Sequence, residues 1–252
     1  MEAVNFYGIT INLDEITAFL KQKMTLREIC CQIVYERIVE REATARNIVV
    51  TAEEINQEAE EVRRAKRLEK ASDTIAWLED EIATVEEWEE GIRKQLQAKK
   101  LARELFASEA EVYFNQNRVR FEKFILYQLV VPYEKLAQEL FYQIEEEEIS
   151  FYEAVHLYDI DEQRRYVCGY EGEVYRQDYP ADLAAAIFKM PISVGELTGP
   201  IRSPQGYHLF RIENYIPAQL TPELHREIVD RLFQQWLVSE FNYMIHNNHQ
   251  DS

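Results

Sequence analysis

The chain has 252 residues, enough for one large domain or two modest ones, with a core that needs neither metal nor disulfide help. Its 28 lysines and arginines stand against 46 aspartates and glutamates, and the formal charge of -18 repels phosphate backbones, so no nucleic-acid partner is expected. No apolar run approaches the roughly 20 residues that span a bilayer, and no secretory leader is visible, so the expected location is cytoplasmic, without membrane insertion.

Cys30 and Cys31 are adjacent and Cys168 stands alone. That spacing fits neither a disulfide framework nor a zinc or redox motif, and all three read as buried apolar filler.

Up to residue 115 the chain reads as helices with clear start signals. Thr25 with Glu28, Thr51 with Glu54, Thr84 with Glu87, and Ser108 with Glu111 fit the capping box. In that motif a hydroxyl and a carboxylate satisfy backbone N–H groups left free at a helix start. Apolar stripes at helical spacing follow: Leu26, Ile29 and Ile33 in one helix, Val85, Trp88, Ile92 and Leu96 in another. Between them, Glu53 to Leu78 is strongly charged with sparse apolar positions, and reads as a partly exposed helix. Its cluster of Arg63, Arg64, Lys66 and Arg67 lies among glutamates at helical spacing, which favours a self-paired, solvated face.

Near Arg118 the pattern changes. The run VRFEKFILYQLVV, Val119 to Val131, is rich in β-branched and aromatic residues and predicts a strand, after which Pro132 permits a helix start. The helix PYEKLAQELFYQI carries Leu136, Leu140 and Ile144 on one face and closes on Glu145 to Glu148. Ser150 with Glu153 opens a short helix, FYEAVHLY. The stretch DIDEQRRYVCGYEGEVYRQDYP reads as loop or irregular strand, Ala181 to Lys189 as helix, and SVGELTGPI as a turn at Gly199-Pro200. A strand from Tyr207 to Tyr215 ends before Pro217. A last helix starts with Thr221 as N-cap and Pro222 at the first helical position. Its stripe of Leu224, Ile228, Leu232 and Trp236 needs a cover the middle segment does not supply, so it is expected to fold back on the N-terminal helices.

The segment AAIFKMPISVGELTGPIRSPQGYHLFRIENY resembles the closing signature of parvulin-type peptidyl-prolyl isomerase domains, with its aromatic, its Gly-Glu, its Gly-Pro and its Gly-Tyr-His strand. The resemblance covers Val119 to Pro217. The arrangement of helical region, inserted domain and returning helix is similar to the periplasmic chaperone SurA and its relatives, including cyanobacterial SurA-like proteins. The fold so implied is α+β: a helical domain over residues 1–117, a parvulin-like (FKBP-like) domain of small antiparallel sheet and flanking helices over 118–217, and a C-terminal helix over 218–252.

Carried over residue by residue, the resemblance implies His208 on the last strand and Asp161 in the loop after the short helix as the polar floor. Val174, Tyr179 and Leu183 fall on the proline pocket. The family's first-strand histidine falls on Phe124, so His208 would face a phenyl ring. Read from the residues alone, His208 is open to two readings, a satisfied core residue or a ligand-binding one. The implied function is a folding factor that binds unfolded or proline-containing polypeptides and isomerises X-Pro bonds. The alternatives are a peptide-binding module without turnover and an interaction subunit of a secretion or peptide-maturation system. No phosphate loop or Gly-x-Ser-x-Gly elbow is present, and His246 and His249 lack partner ligands, so neither cofactor nor metal is expected.

Overall fold

The computed structural model describes residues 3–248; His249 lies outside the described residues. The chain divides into two compact units, one made of the residues up to Val112 together with those from Pro222 onward, the other of Tyr113–Thr221.

The first unit opens with an antiparallel hairpin, β1 (Ala3–Phe6) and β2 (Ile9–Asn12), turning through Tyr7 and Gly8. This corrects the all-helical reading of the first 115 residues. Helices α1 (Leu13–Gln22), α2 (Leu26–Ala45), α3 (Ala52–Ala65), α4 (Ala71–Asp80) and α5 (Val85–Gln116) follow. The capping boxes at Thr51 and Thr84 form, each with the hydroxyl accepting from the glutamate N–H and the carboxylate accepting from the threonine N–H. The start at Thr25 holds without its capping box, and the start at Ser108 does not hold. Thr25 precedes α2, yet its hydroxyl donates back to the Leu20 carbonyl, and Ser108 lies inside α5. In α2 the buried positions are Ile38, Val39 and Ala43, whereas Ile29 and Ile33 are exposed.

Helix α10 (Pro222–Asn248) packs on α2 and α5. Ile228 and Leu232 are buried together with Val229, Phe233 and Leu237, a second stripe one position on. Phe106 of α5 meets Phe233 and Trp236, Tyr35 of α2 meets Phe241, and His225 bonds the Ala107 carbonyl at 2.9 Å. Cys30 is exposed and Cys31 and Cys168 are half-buried, so the filler reading does not hold for Cys30.

The second unit is a four-stranded antiparallel sheet with helices on both faces. Its strands are β3 (Lys123–Val131), β4 (Tyr170–Tyr175), β5 (Leu197–Ser203) and β6 (Gly206–Ile216), in the order β4-β3-β6-β5. A 3-10 turn over Arg118–Phe121 leads into β3. The two central strands are the most apolar, as strands covered on both faces must be. One face is packed by α6 (Glu134–Glu145) and α7 (Phe151–Tyr158), the latter capped by Ser150. The other is packed by α9 (Ala181–Ile187). Between α7 and α9 lie α8 (Glu162–Tyr166), β4 and a 3-10 turn over Arg176–Asp178, where only a loop or irregular strand was expected. The Gly199-Pro200 pair, expected as a turn, sits inside β5.

Candidate functional site

Successive strand residues point to opposite faces, so β3 turns Phe124, Leu126, Gln128 and Val130 toward α9, while β6 contributes His208, Phe210 and Ile212. Most of that face is hydrocarbon. Gln128 and His208 are the exception: both are buried, and the Gln128 side-chain amide meets His208 Nδ1 at 2.7 Å.

That contact fixes the imidazole. An amide NH2 only donates, so Nδ1 accepts, and a neutral ring then carries its proton on Nε2. Nε2 lies 2.5 Å from Ser203 Oγ and donates to it. The same oxygen accepts from the Gln205 N–H at 3.0 Å. With both acceptances made, the Ser203 hydroxyl hydrogen is free to turn outward, and Ser203 is half-exposed. The ring is held neutral. Burial lowers the His208 pKa, the Arg164 charge lowers it further, and Asp159 partly opposes them.

Two glycines permit this close packing. A Cβ on Gly199 would lie 2.5 Å from the His208 carbonyl oxygen, and one on Gly206 would lie 2.6 Å from that of Val131. Both have positive φ, 135 and 144 degrees, so side chains are excluded on two counts.

Beyond His208 an aromatic line begins. The Phe210 ring lies parallel to the imidazole at 5.6 Å, and the Tyr179 ring stands edge-on to Phe210 at 6.0 Å and to Phe188 at 5.9 Å. Tyr179 is half-exposed, with Leu183 of α9 in the same cluster. Burial, then the Glu171 charge, raises the Tyr179 hydroxyl far above its ordinary pKa, so it stays a neutral phenol.

On the far side of β3, Asp159 is fully buried and accepts from the N–H groups of Val130 at 2.9 Å and Asp161 at 2.7 Å. Arg164 donates to both its oxygens, at 3.0 and 3.3 Å, and to Glu171 at 3.1 Å. This network ties the α7–α8 loop to the end of β3 beside His208.

The six residues expected from sequence are thus only partly brought together. His208, Tyr179 and Leu183 lie around the Phe210 ring or on the helix that covers it. Phe124 does not face His208; it pairs with and stacks on Tyr215 at 5.3 Å and lies tilted against Phe188 at 4.3 Å. The strand residue opposite His208 is Val130, and the side chain that reaches the imidazole is that of Gln128, diagonal to it and four positions along from Phe124, or about 13 Å at strand rise. Val174 pairs with Phe124 and belongs to that distant end of the core. Asp161 caps α8 by accepting from Gln163 and Arg164 N–H groups, and the carboxylate whose charge reaches His208 is Asp159.

Gln128, Ser203, Arg164 and Phe210 were not foreseen. The lone glutamine in the apolar run of β3 was the available signal for the first, and the Ser-Pro-Gln-Gly turn before His208 for the second. Among the described residues no group of three or more His, Cys, Asp or Glu is placed to hold a metal, and no helix is long and apolar enough to cross a membrane.

Residues 131–214 match the family model described as Rotamase, PPIC-type PPIASE domain. No sequence among the curated proteins matches the chain. Among solved structures it is similar to the peptidylprolyl isomerase PrsA from Bacillus cereus, at 18% identity over 96% of this chain and 88% of that one, with TM-score 0.46. A SurA-like chaperone of Campylobacter jejuni aligns at 15% identity over 99% of this chain and 97% of that one, TM-score 0.39. NmPin, the parvulin of Nitrosopumilus maritimus, aligns at 22% over 36% of this chain and 95% of that one, TM-score 0.33.

Proposed function

We propose that this chain, which carries a PPIC-type peptidyl-prolyl isomerase domain over residues 131–214, is a folding factor that binds proline-containing polypeptide segments and catalyses rotation about their X-Pro bonds beside His208. The observation that carries the reading is a buried, neutral histidine joined to a half-exposed serine hydroxyl at the margin of an aromatic cluster.

Rotation about an X-Pro bond meets a barrier of roughly 18–20 kcal/mol because the amide carries partial double-bond character. No covalent step is needed. The twisted amide loses charge separation, so surroundings poorer in water penalise it less than the planar ground state. Tyr179, the half-exposed ring backed by Phe210 and Leu183, supplies such surroundings for the proline ring. The Ser203 hydroxyl, with its oxygen already occupied by two donors, offers its hydrogen to the substrate backbone. Gln128 keeps His208 in the tautomer that leaves Ser203 a donor. A second histidine is not required for that arrangement, because an amide performs the orienting task without titrating.

The test is exchange NMR of cis and trans populations in X-Pro peptides, with and without the protein. Accelerated exchange that falls in both His208→Ala and Tyr179→Ala is the expected result. Peptide binding without acceleration removes turnover and leaves a proline-reading module. The expected location, in the cytoplasm, is checked by fractionation and remains part of this proposal.

A further inference from the structure

The geometry points to a second subsite beside Tyr179, which takes an acidic side chain of the polypeptide near the proline. The inference rests on the isomerase reading, since it concerns what else the same substrate presents. A cleft of about 440 Å³ opens against α9, lined by Arg120, Arg176, Gln177, Tyr179 and the alanines of that helix. Both of its charged groups are guanidiniums, and no carboxylate lines it, in a chain with 46 acidic residues against 28 basic ones.

The two arginines are brought together by their turns. The 3-10 turn that holds Arg120 lies against the 3-10 turn that begins at Arg176. Arg176 is fixed in place, donating to the Phe188 carbonyl at 2.8 Å with its plane 5.3 Å above the Phe188 ring. Its Nε is buried and has no acceptor. A buried donor without an acceptor is costly, and a carboxylate entering the cleft would supply one. Arg120 is exposed and can close on the same carboxylate from the solvent side. The alanines of α9 leave room for the methylenes of a glutamate.

Tyr179 decides the source of that carboxylate. The ring that stands edge-on to Phe210 and is proposed to meet the proline also lines the cleft. An occupant tethered to the bound polypeptide is therefore delivered at high effective concentration, which a free anion is not. Each residue of extended chain spans about 3.3–3.6 Å, so positions within three of the proline are those in reach.

The experiment uses the full chain and X-Pro peptides carrying glutamate, glutamine or lysine at each of those positions in turn. Both binding, by NMR titration, and catalysed exchange are measured. At one position at least, glutamate is expected to bind about fivefold more tightly than glutamine at low salt, as a partly exposed ion pair allows. The preference shrinks at high salt, disappears in Arg120→Gln, and turns to favour lysine in Arg120→Glu. Equal binding of glutamate and glutamine peptides at every position overturns the subsite, as does a glutamate preference that survives Arg120→Glu. The underlying reading fails separately. A glutamate preference without accelerated exchange supports the subsite and removes turnover, whereas acceleration indifferent to glutamate does the reverse.

Discussion

The two faces of the four-stranded sheet are packed on different terms. Toward α6 and α7, Leu129, Val131 and Leu209 meet Ala137, Leu140, Phe151 and Val155, all buried and all hydrocarbon or phenyl. Toward α9, the same two central strands bury Gln128 and His208 among Phe210, Leu126 and Ile212. Burying an amide and an imidazole costs stability unless each finds a partner, and here they find one another and Ser203. The first face holds the sheet in shape; the second spends some of that stability on a fixed proton donor.

The largest effect should come from breaking the hydrocarbon face. Phe151→Ala is expected to cost about 3–5 kcal/mol in urea unfolding, because a fully buried phenyl leaves a cavity. Activity should fall only in proportion to the unfolded fraction. On the polar face the balance reverses. Ser203→Ala should lower catalysed exchange on the order of a hundredfold, as loss of one positioned donor does elsewhere. Its unfolding free energy should fall by about 1–3 kcal/mol, because the buried His208 Nε2 loses its acceptor.

The pH response sharpens the contrast. The folded pKa of His208 lies below its unfolded value of 6.5, since burial and Arg164 disfavour the charged ring. Above pH 6.5 both states are neutral and the contribution is complete. As pH falls from 6.5 toward the folded pKa, the unfolded chain takes up the proton first and stability is lost. The slope from this group is at most about 1.4 kcal/mol per pH unit, and it should vanish from the unfolding free energies of His208→Gln measured over the same range. The smallest effect belongs to Phe124→Leu. It should cost about 1 kcal/mol and leave turnover per folded molecule unchanged, because Phe124 packs on Phe188 and Tyr215 at the end of the core away from His208. A marked loss of turnover would undo the assignment of Gln128 as the partner of His208.

Much of this was legible in the sequence, and the errors have identifiable causes. The Gly-Tyr-His strand was read correctly, because apolar and polar residues alternate from Tyr207 onward. The partner of His208 was not. Phe124 and Gln128 are an even number of residues apart and share a face, so alternation alone cannot separate them. Only pairing with β6, which joins Val130 to His208 and Phe124 to Tyr215, decides between them. Asp159 and Asp161 posed the same difficulty, since either loop aspartate could turn inward, and the choice falls to the free N–H of Val130. The false helix start at Ser108 arose because serine or threonine three residues before a glutamate recurs by chance in so acidic a chain.

The first unit is assembled from both sides of the second, with Ile228, Leu232 and Phe233 of α10 completing a core begun by α2 and α5. On a ribosome that order has a cost in time. At about 5–20 residues per second, the helices preceding the sheet unit emerge on the order of ten seconds before α10 does. Throughout that interval Ile38, Val39 and Phe106 face water without their partner. The sheet unit draws both of its core clusters from residues that precede α10, so its core does not wait for the helix that closes the helical half.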